Sequence, residues 1–285
     1  MRLRDHLDLA EAQLSAGPHA DRARRDSETL LLHLTGKDRA WLIAHRDDDF
    51  GGCTAVHYAG LVDRRAKGEP IQYITGECEF YGLPFRVTPD VLIPRPETEH
   101  LVEKVGEFAP RFRAPRILDV GTGSGCIAIS IAHDWGDADI TAVDISDRAL
   151  EIARGNAKRI GFAEHIRFLQ GDLLAPVAGK RFEIIVSNPP YVPNTDRALI
   201  AVEVREYEPA VALFAGADSV DGLDIYRRLI PAAFDALVPG GFIALEIGFT
   251  QADSVRALLS ARGFTAIETT PDLQGIPRVL TAQRP

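Results

Sequence analysis

The chain of 285 residues has little cysteine, and its cysteines form no recognisable site. Cys53, Cys78 and Cys126 are scattered and odd in number, and no two of them have C-x-x-C spacing. This pattern excludes a zinc or redox site built on paired cysteines, so we expect three reduced, partly buried thiols. The histidines also lack the spacing of metal ligands, and we predict no metal site.

Long apolar runs and an excess of positive charge are missing as well. No stretch is apolar enough to span a bilayer, and the first residues lack the features of a secretory signal, so we expect a cytoplasmic protein without a membrane partner. The 41 acidic residues outnumber 32 lysines and arginines and give a net charge of −9. This balance argues against a broad face for nucleic-acid phosphates and favours a protein or small-molecule partner.

Helical periodicity dominates the first quarter of the chain. Apolar residues recur at helical spacing in three segments. The first runs from Leu3 to Leu14, the second follows a cap candidate at Ser27, and the third covers 56–67. These helices predict a small N-terminal helical domain over 1–75. Two roles for this domain stay open, namely docking a protein substrate or only stabilising the larger domain.

The remaining residues, 76–285, are predicted to form one larger α/β domain. Residues 68–76 indicate a linker, and 79–87 indicate a hairpin that leads into the domain. Beyond residue 113 strands and helices alternate, which predicts a mostly parallel sheet covered by helices on both faces. The expected strands are 116–120, 139–144, 166–170, 182–187, 241–246, 264–270 and 278–283, and the expected helices include 147–160, 222–237 and 253–261. The last two strands lie too close for a helical crossover, so they should form an antiparallel hairpin.

A glycine-rich loop follows the first strand of this predicted sheet. It consists of Gly121, Thr122, Gly123, Ser124 and Gly125, and a helix-like segment comes directly after it. Glycines allow a sharp turn and the close approach of a ligand, and a helix N-terminus offers free N–H groups to a carboxylate or phosphate. Cys126 replaces the third glycine of the dinucleotide fingerprint, which disfavours a pyrophosphate-binding oxidoreductase.

An acidic residue follows this loop at the distance expected of a ribose ligand. Asp144 ends the second strand about 20 residues further on, where ribose hydroxyls are usually held. We therefore predict that Asp144 binds ribose. The alternative is a charge that stabilises the dipole of helix 147–160.

The motif Asn-Pro-Pro-Tyr at 188–191 directly follows the apolar run 182–187. Its prolines fix their own φ angles and supply no amide donors, so the nearby carbonyls sit in a stiff frame. The side-chain oxygen of Asn188 and a neighbouring carbonyl can both accept from one planar NH2 group and orient its nitrogen toward an electrophile. Tyr191 is expected to stack on this group. A simple strand-ending turn is the alternative.

The glycine loop, the following acid and the Asn-Pro-Pro-Tyr motif together resemble class I S-adenosylmethionine (SAM) methyltransferases that modify amide or amino nitrogen. Further motifs make the chain similar to the HemK/PrmC family from about residue 70 onward, and they lie at 70–76, 91–99, 208–209, 221–224 and 245–248. This resemblance implies a Rossmann-like sheet with an antiparallel last strand and SAM as methyl donor. It also implies methylation of the glutamine in the Gly-Gly-Gln motif of peptide-chain release factors.

The resemblance also implies a set of site residues. The catalytic residues are then Asn188, Pro189, Pro190 and Tyr191, and SAM is held by residues 121–125, Asp144, Asp172, Leu173 and Asn188. Asp172 is expected to accept from the adenine amino group, with a turn aspartate as the alternative. Leu173 stands where some members carry an aromatic residue, so adenine is expected to rest on an aliphatic surface.

Two polar segments near these motifs have open roles. Glu97 and Glu99 either face the cofactor or cap a helix over 98–108. A polar insert after the Asn-Pro-Pro-Tyr motif either shapes the substrate channel or forms a solvated surface, and it contains Glu203, Arg205, Glu206 and Glu208.

Three rival functions also stay open. They are methylation of a ribosomal-protein glutamine, methylation of an exocyclic amine of nucleic acid, and SAM binding without turnover. The acidic balance opposes direct contact with nucleic acid, and the intact motif at 188–191 opposes a protein without turnover.

Overall fold

The computed structural model describes residues 1–216 and 218–285, which fall into two compact units. The first unit consists of Met1–Glu77 together with Ile200–Tyr207, and the second of Cys78–Leu199 together with Glu208–Pro285. The first unit thus includes a segment from far along the chain that the predicted domain 1–75 lacks. The division into domains 1–75 and 76–285 stays a prediction. In the described ranges, no helix combines the length and apolar character needed to cross a membrane.

The helices and strands of the described residues have the following bounds. The helices are α1 (Leu3–Ser15), α2 (Ala23–Thr35), α3 (Arg39–Ala44), α4 (Gly52–Ala66), α5 (Ile71–Thr75), α6 (Glu99–Phe108), α7 (Cys126–Asp134), α8 (Asp147–Ile160), α9 (Val202–Tyr207), α10 (Ala210–Leu213), α11 (Asp224–Ala236) and α12 (Ala252–Arg262). The strands are β1 (Glu77–Phe80), β2 (Leu83–Arg86), β3 (Arg116–Val120), β4 (Asp139–Asp144), β5 (Ile166–Gln170), β6 (Phe182–Ser187), β7 (Leu237–Glu246), β8 (Thr265–Pro271) and β9 (Pro277–Gln283).

The first unit is a helical cluster around the apolar stripes of α1, α2 and α4. Leu7 of α1, Leu30 of α2 and Tyr58 of α4 are each buried in its core. Ser27, the predicted helix cap, lies inside α2, where its hydroxyl donates to the Arg24 carbonyl. That cap prediction was wrong because α2 already begins at Ala23.

The linker predicted over 68–76 is also partly helical. It contains α5 (Ile71–Thr75), whose Tyr73 and Ile74 are buried. The prediction was wrong for this stretch because Ile74 joins the apolar core of the first unit and Tyr73 is also buried, and their burial favours an ordered turn of helix over a free linker.

A buried arginine organises the polar interior of the first unit. Arg65 has 1% of its surface exposed, and its Nε donates to Asp26 Oδ2 at 2.6 Å. Its Nη1 donates to Glu203 Oε2 at 3.1 Å and to the carbonyl of Glu69 at 2.9 Å. Because Glu203 lies in α9, its bond to Arg65 ties the segment Ile200–Tyr207 to the rest of the first unit.

The second unit contains a seven-stranded sheet in the order β5-β4-β3-β6-β7-β9-β8. The pairs β3 with β4, β3 with β6, β4 with β5, and β6 with β7 are parallel, whereas β9 pairs antiparallel with both β7 and β8. The predicted parallel sheet with an antiparallel last hairpin is confirmed. A separate two-stranded sheet, β1 with β2, forms the predicted leading hairpin.

One strand begins earlier than the sequence indicated. The sequence predicted a helix over 222–237 and a strand over 241–246, but Pro239 and Gly240, between these ranges, lie inside β7 (Leu237–Glu246). A register shift between Phe182 and Ile184 of β6 makes room for the extra residues of β7. Gly240, at φ 81°, takes the left-handed conformation that this irregular stretch requires.

Helices cover both faces of the sheet, as the alternation along the chain predicted. Each face of the sheet has its own apolar core, and successive residues of β3 face opposite cores. Ile117 packs in the first core and Leu118 in the second core. The chain runs outward from β3 through β4 to β5, and on the other side from β6 to β7. The strand order therefore changes direction between β3 and β6, which is where open α/β sheets form a ligand crevice.

Asp26→Ala is expected to lower the free energy of unfolding by about 3 kcal/mol, because Arg65 would stay buried without its closest carboxylate. Urea unfolding followed by circular dichroism measures this loss. The matched control is Asp8→Ala, since Asp8 pairs with Arg24 but its side chain is 69% exposed. That control should lose less than about 1 kcal/mol, and equal losses in the two variants would contradict the expectation.

Candidate active site

A cavity of about 360 Å³ lies in this crevice of the second unit. Its size is within the range of small-molecule sites. The predicted site residues that line it are Gly121, Thr122, Gly123, Ser124, Asp144, Asp172, Leu173, Asn188, Pro189 and Pro190. Gly125 and Tyr191 are absent from the described residues that line it. The fold therefore brings most of the predicted site residues to this cavity and leaves Gly125 and Tyr191 outside its lining.

The glycine loop is held at both of its ends. The N–H groups of Gly121 and Thr122 donate to the Val143 carbonyl at 2.8 and 3.0 Å. Asn156 of α8 donates to the Ser124 carbonyl at 2.9 Å. These bonds fix the loop against β4 and α8, so its backbone is shaped before any ligand arrives.

Gly125 serves the packing of the loop and lies outside the cavity lining. It has φ 83° and precedes α7. A Cβ atom at this position would lie 3.1 Å from the Cβ of Ala153 and 3.0 Å from Cδ1 of Ile129. Glycine here lets α8 approach the start of α7 closely, which is a structural role.

Asp144 joins the glycine loop to the end of β4. Its Oδ2 accepts from the Gly123 N–H at 2.8 Å and its Oδ1 accepts from the Ser146 N–H at 2.9 Å. Burial raises the pKa of the Asp144 carboxyl, while these N–H groups act in the opposite direction. The cap of α8 is Ser146, whose hydroxyl accepts from the Ala149 N–H.

Asp172 and Leu173 follow β5 on the wall of the cavity. Asp172 forms an ion pair with Arg228, which also lines the cavity, and both side chains are about half exposed. Leu173 has φ 49°, an unusual left-handed conformation for a leucine, and its side chain packs beside the second core. The cavity thus offers an aliphatic surface next to a charged pair.

The Asn-Pro-Pro-Tyr motif leaves the sheet directly after β6. Ser187, the last residue of β6, donates to the Val120 carbonyl at 2.6 Å and so ties the motif to the strand before the glycine loop. Asn188 donates from Nδ2 to Thr98 Oγ1 at 3.2 Å. Thr98 in turn donates to Glu246 Oε2 at 2.6 Å.

The expected stacking of Tyr191 in the site differs from the observed arrangement. Its ring packs against the second core, and its hydroxyl lies 3.5 Å from Glu246 Oε1. The Tyr191 carbonyl accepts from Gln251 Nε2 at 2.9 Å. Tyr191 therefore anchors the end of the motif to the protein interior.

Glu97 and Glu99 do not face the cavity among its described lining residues. Glu99 begins α6, and its Oε1 accepts from the Tyr81 N–H at 2.8 Å, which ties the helix to the leading hairpin. Glu208 belongs to the insert for which the sequence left two alternatives, a substrate channel or a solvated surface. It is buried and accepts from Arg95 Nη2 at 2.6 Å. Because Arg95 lines the cavity, Glu208 holds part of its wall.

Two family models match the chain, the PrmC N-terminal domain at residues 5–76 and the methyltransferase small domain at 98–205. A release factor glutamine methyltransferase of Koribacter versatilis is 42% identical over 100% of this chain and 99% of its own. One from Geobacter sulfurreducens is 42% identical over 98% of this chain and 95% of its own. The chain belongs to the release factor glutamine methyltransferase family.

The fold of this chain is also similar to that of solved methyltransferase structures. A methyltransferase from Pyrococcus furiosus has a TM-score of 0.52 at 20% identity and covers 72% of this chain and 90% of its own. A 16S rRNA methyltransferase of T. thermophilus, in complex with AdoMet and guanosine, has a TM-score of 0.54 at 20% identity, with 73% and 50% covered. The fold is that of class I SAM methyltransferases, as the sequence predicted.

The methyl donor of this methyltransferase family is SAM, and the cavity fits it. A Cβ atom added at Gly123 would meet nothing within 4 Å, so the loop presents bare backbone to open space. The remaining wall combines the Asp144 carboxylate with the aliphatic Leu173. Polar and apolar surfaces of this kind match the charged, hydroxyl-bearing and aromatic parts of SAM.

Sequence reasoning missed three buried polar residues around the cavity. Thr98 and Glu246 are 2% and 3% exposed, and Asp119 in β3 is completely buried. Thr122 Oγ1 donates to Asp119 Oδ2 at 2.6 Å, and burial raises the pKa of Asp119 to about 7. An acidic residue within an otherwise apolar strand is the sequence signal for a buried carboxylate of this kind. Burying a charge costs free energy, so such a residue often belongs to a functional site.

Gly222→Ala is expected to lower the free energy of unfolding by at least about 2 kcal/mol. Gly222 has φ 71°, and a Cβ atom there would lie 2.1 Å from the Tyr191 carbonyl oxygen, so the side chain adds a clash to the backbone strain. Gly36→Ala is the matched control, because Gly36 has φ 65° with nothing within 4 Å. It should lose only about 1 kcal/mol from strain. Urea unfolding compares the two, and equal losses would show that the contact with Tyr191 is unimportant.

Glu246→Gln is expected to flatten the pH dependence of stability. Burial raises the pKa of Glu246 from 4.5 to about 7, so the folded state holds a proton that the unfolded chain releases. The stabilisation from this proton is complete below about pH 4 and disappears as the pH rises through about 7. Without SAM, the variant should escape a loss on the order of 3 kcal/mol between pH 4 and 8. Urea unfolding across this range tests it, and parallel profiles would refute it.

Proposed function

We propose that this protein transfers a methyl group from SAM to the side-chain amide nitrogen of the glutamine in the Gly-Gly-Gln motif of peptide-chain release factors. The observation that carries this proposal is its 42% identity, over 100% of the chain, to a release factor glutamine methyltransferase. The cavity supports it, because Asn188 and its prolines lie beside the loop that suits the methyl donor.

The acceptor amide is a poor nucleophile because its lone pair is delocalised into its own carbonyl. We propose that the Asn188 side-chain oxygen and the Pro189 carbonyl accept from its two N–H bonds. These acceptors orient the nitrogen and favour the positive charge that develops on it during attack. When bound, SAM supplies an electrophilic methyl group on a positively charged sulfur.

The acceptor motif is rigid for reasons that the chain itself provides. Pro189 and Pro190 fix their own φ angles. Ser187, the residue before the motif, donates from its hydroxyl to the Val120 carbonyl at 2.6 Å. The glycine loop begins one residue after Val120. Donor loop and acceptor motif therefore start from neighbouring positions on paired strands, which keeps the two reactants in register.

We assign the cofactor contacts by the position of each residue on the cavity wall. Residues 121–124 offer backbone N–H groups, Asp144 accepts from ribose hydroxyls, and Leu173 supports the adenine ring. Asp172 accepts from the adenine amino group. Its exposed ion pair with Arg228 contributes little by itself, so exchanging part of it for a ligand costs little.

The first unit, which contains the match to the PrmC N-terminal domain, is proposed to dock the protein substrate. The net charge of −9 supports a protein acceptor over direct binding of nucleic acid. Because release factors act in translation, the proposed substrate also supports the expected cytoplasmic location.

Incubation of the purified protein with SAM and an unmodified release factor should add one methyl group to the Gly-Gly-Gln glutamine, detected by peptide mass spectrometry. Asn188→Ala should lower kcat about 100-fold, because one acceptor for the reacting amide is lost. SAM affinity, measured by calorimetry, should change far less.

Two results would overturn these assignments. Comparable losses of turnover and SAM affinity would contradict the acceptor role of Asn188. Methylation of a ribosomal protein or of bulk nucleic acid, with none on the release factor, would replace the proposed substrate.

A further inference from the structure

A buried pair of side chains lies directly behind the acceptor residue. Thr98 is the last residue of the 3-10 turn before α6, and Glu246 is the last residue of β7. Both are almost completely buried. They connect to Asn188 in a chain of two hydrogen bonds, from Asn188 Nδ2 to Thr98 Oγ1 at 3.2 Å and from Thr98 Oγ1 to Glu246 Oε2 at 2.6 Å.

Which atom donates in each of these two hydrogen bonds follows from the number of protons available. At pH 8, above the raised pKa of Glu246, this side chain is a carboxylate and only accepts hydrogen bonds, so the Thr98 hydroxyl must give its single proton to Glu246. Thr98 Oγ1 then has only lone pairs to offer to Asn188. The amide atom that faces Thr98 must therefore be the NH2 group, and the oxygen Oδ1 is the amide atom left over for a ligand.

Shape alone cannot make this choice. The two ends of an asparagine amide have nearly the same size, so rotating it by half a turn exchanges an acceptor for a donor without a steric penalty. A rotated Asn188 would present an NH2 group to the NH2 group of an acceptor glutamine. Two donors would then face each other, and the site would lose the bond that orients the nucleophile.

We propose that Thr98, held by Glu246, is a positioning residue that fixes the Asn188 amide with its oxygen toward the acceptor. This inference rests on the proposed function, since it assigns a purpose to the orientation only if Asn188 receives an amide. Thr98 acts through Asn188, and Glu246 acts through Thr98.

The surroundings of Glu246 hold it in place for this task. Its backbone carbonyl accepts from the Tyr226 hydroxyl at 2.6 Å, and β7 is paired on both sides. The Tyr191 hydroxyl lies 3.5 Å from the other carboxylate oxygen, Oε1. The tyrosine of the Asn-Pro-Pro-Tyr motif therefore contacts the same buried carboxylate, which accounts for a ring that points away from the cavity.

The test compares Thr98→Val, which keeps the shape and removes the hydroxyl, with Thr98→Ser, which keeps the hydroxyl. Methyl transfer to the release-factor glutamine is measured at pH 8 with saturating SAM and acceptor. Thr98→Val should lower kcat about tenfold, the effect of one lost orienting hydrogen bond. Its SAM dissociation constant, measured by calorimetry, should stay within about twofold of wild type, and Thr98→Ser should recover most of the lost kcat.

Two further variants separate positioning from general stability. Thr141→Val removes a hydroxyl from a threonine that is 2% exposed in β4 and does not line the cavity, so kcat should not change. In an Asn188→Ala background, Thr98→Val should cause no additional loss, because the residue through which it acts is gone. A purely structural role would add its full effect in that background.

The outcomes distinguish this inference from the function on which it rests. If the wild-type protein methylates no release factor, the proposed function fails. If the wild type is active and Thr98→Val matches it, or Thr98→Ser is as impaired as Thr98→Val, the positioning role is wrong. Should Thr98→Val fail to fold, Thr98→Ala also lacks the hydroxyl and must show the same reduced kcat with unchanged SAM affinity.

Discussion

The parallel pairing of β3 with β6 is the constraint on which the site depends. Val120 and Ser187 are register partners, and the Ser187 hydroxyl also donates to the Val120 carbonyl at 2.6 Å. One strand leads into the glycine loop and the other into the Asn-Pro-Pro-Tyr motif. Because the strand order reverses between them, a crevice forms above their ends, and both segments border the same cavity. Backbone pairing thus brings the glycine loop and the Asn-Pro-Pro-Tyr motif together.

Buried carboxylates surround this crevice, and each accepts at least one hydrogen bond from a neighbouring donor. Asp119 receives the Thr122 hydroxyl, Asp144 receives two backbone N–H groups, and Glu246 receives the Thr98 hydroxyl. Burial raises the pKa of all three groups, so the folded protein bears an electrostatic cost at this edge of the sheet. Such a cost is common where a site must present fixed acceptors to a ligand, and it is offset by the large apolar cores on both faces.

Sequence patterns predicted the elements that carry local signals. Alternating apolar runs and glycine stops placed β3 to β6 at their observed bounds, and the spacing from the glycine loop to Asp144 placed the ribose candidate on the cavity wall. Thr98 and Glu246 could not be paired in this way, because 148 residues separate them and only the sheet order brings them together. The direction of the Tyr191 ring could not be predicted either. A motif fixes the backbone of a turn, but the packing around a side chain decides where its ring points.

The segment Ile200–Tyr207 has a consequence for how the protein is made. The chain passes between the two units three times, after Glu77, Leu199 and Tyr207. During synthesis the N-terminal helices emerge from the ribosome long before Glu203, so Arg65 first meets only part of its final set of partners. The N-terminal cluster reaches its native form only after the strands β3 to β6 have been translated. The helical unit is therefore completed by a segment that follows β6 in the chain, and its ion pair with Glu203 can form only after that strand has been made.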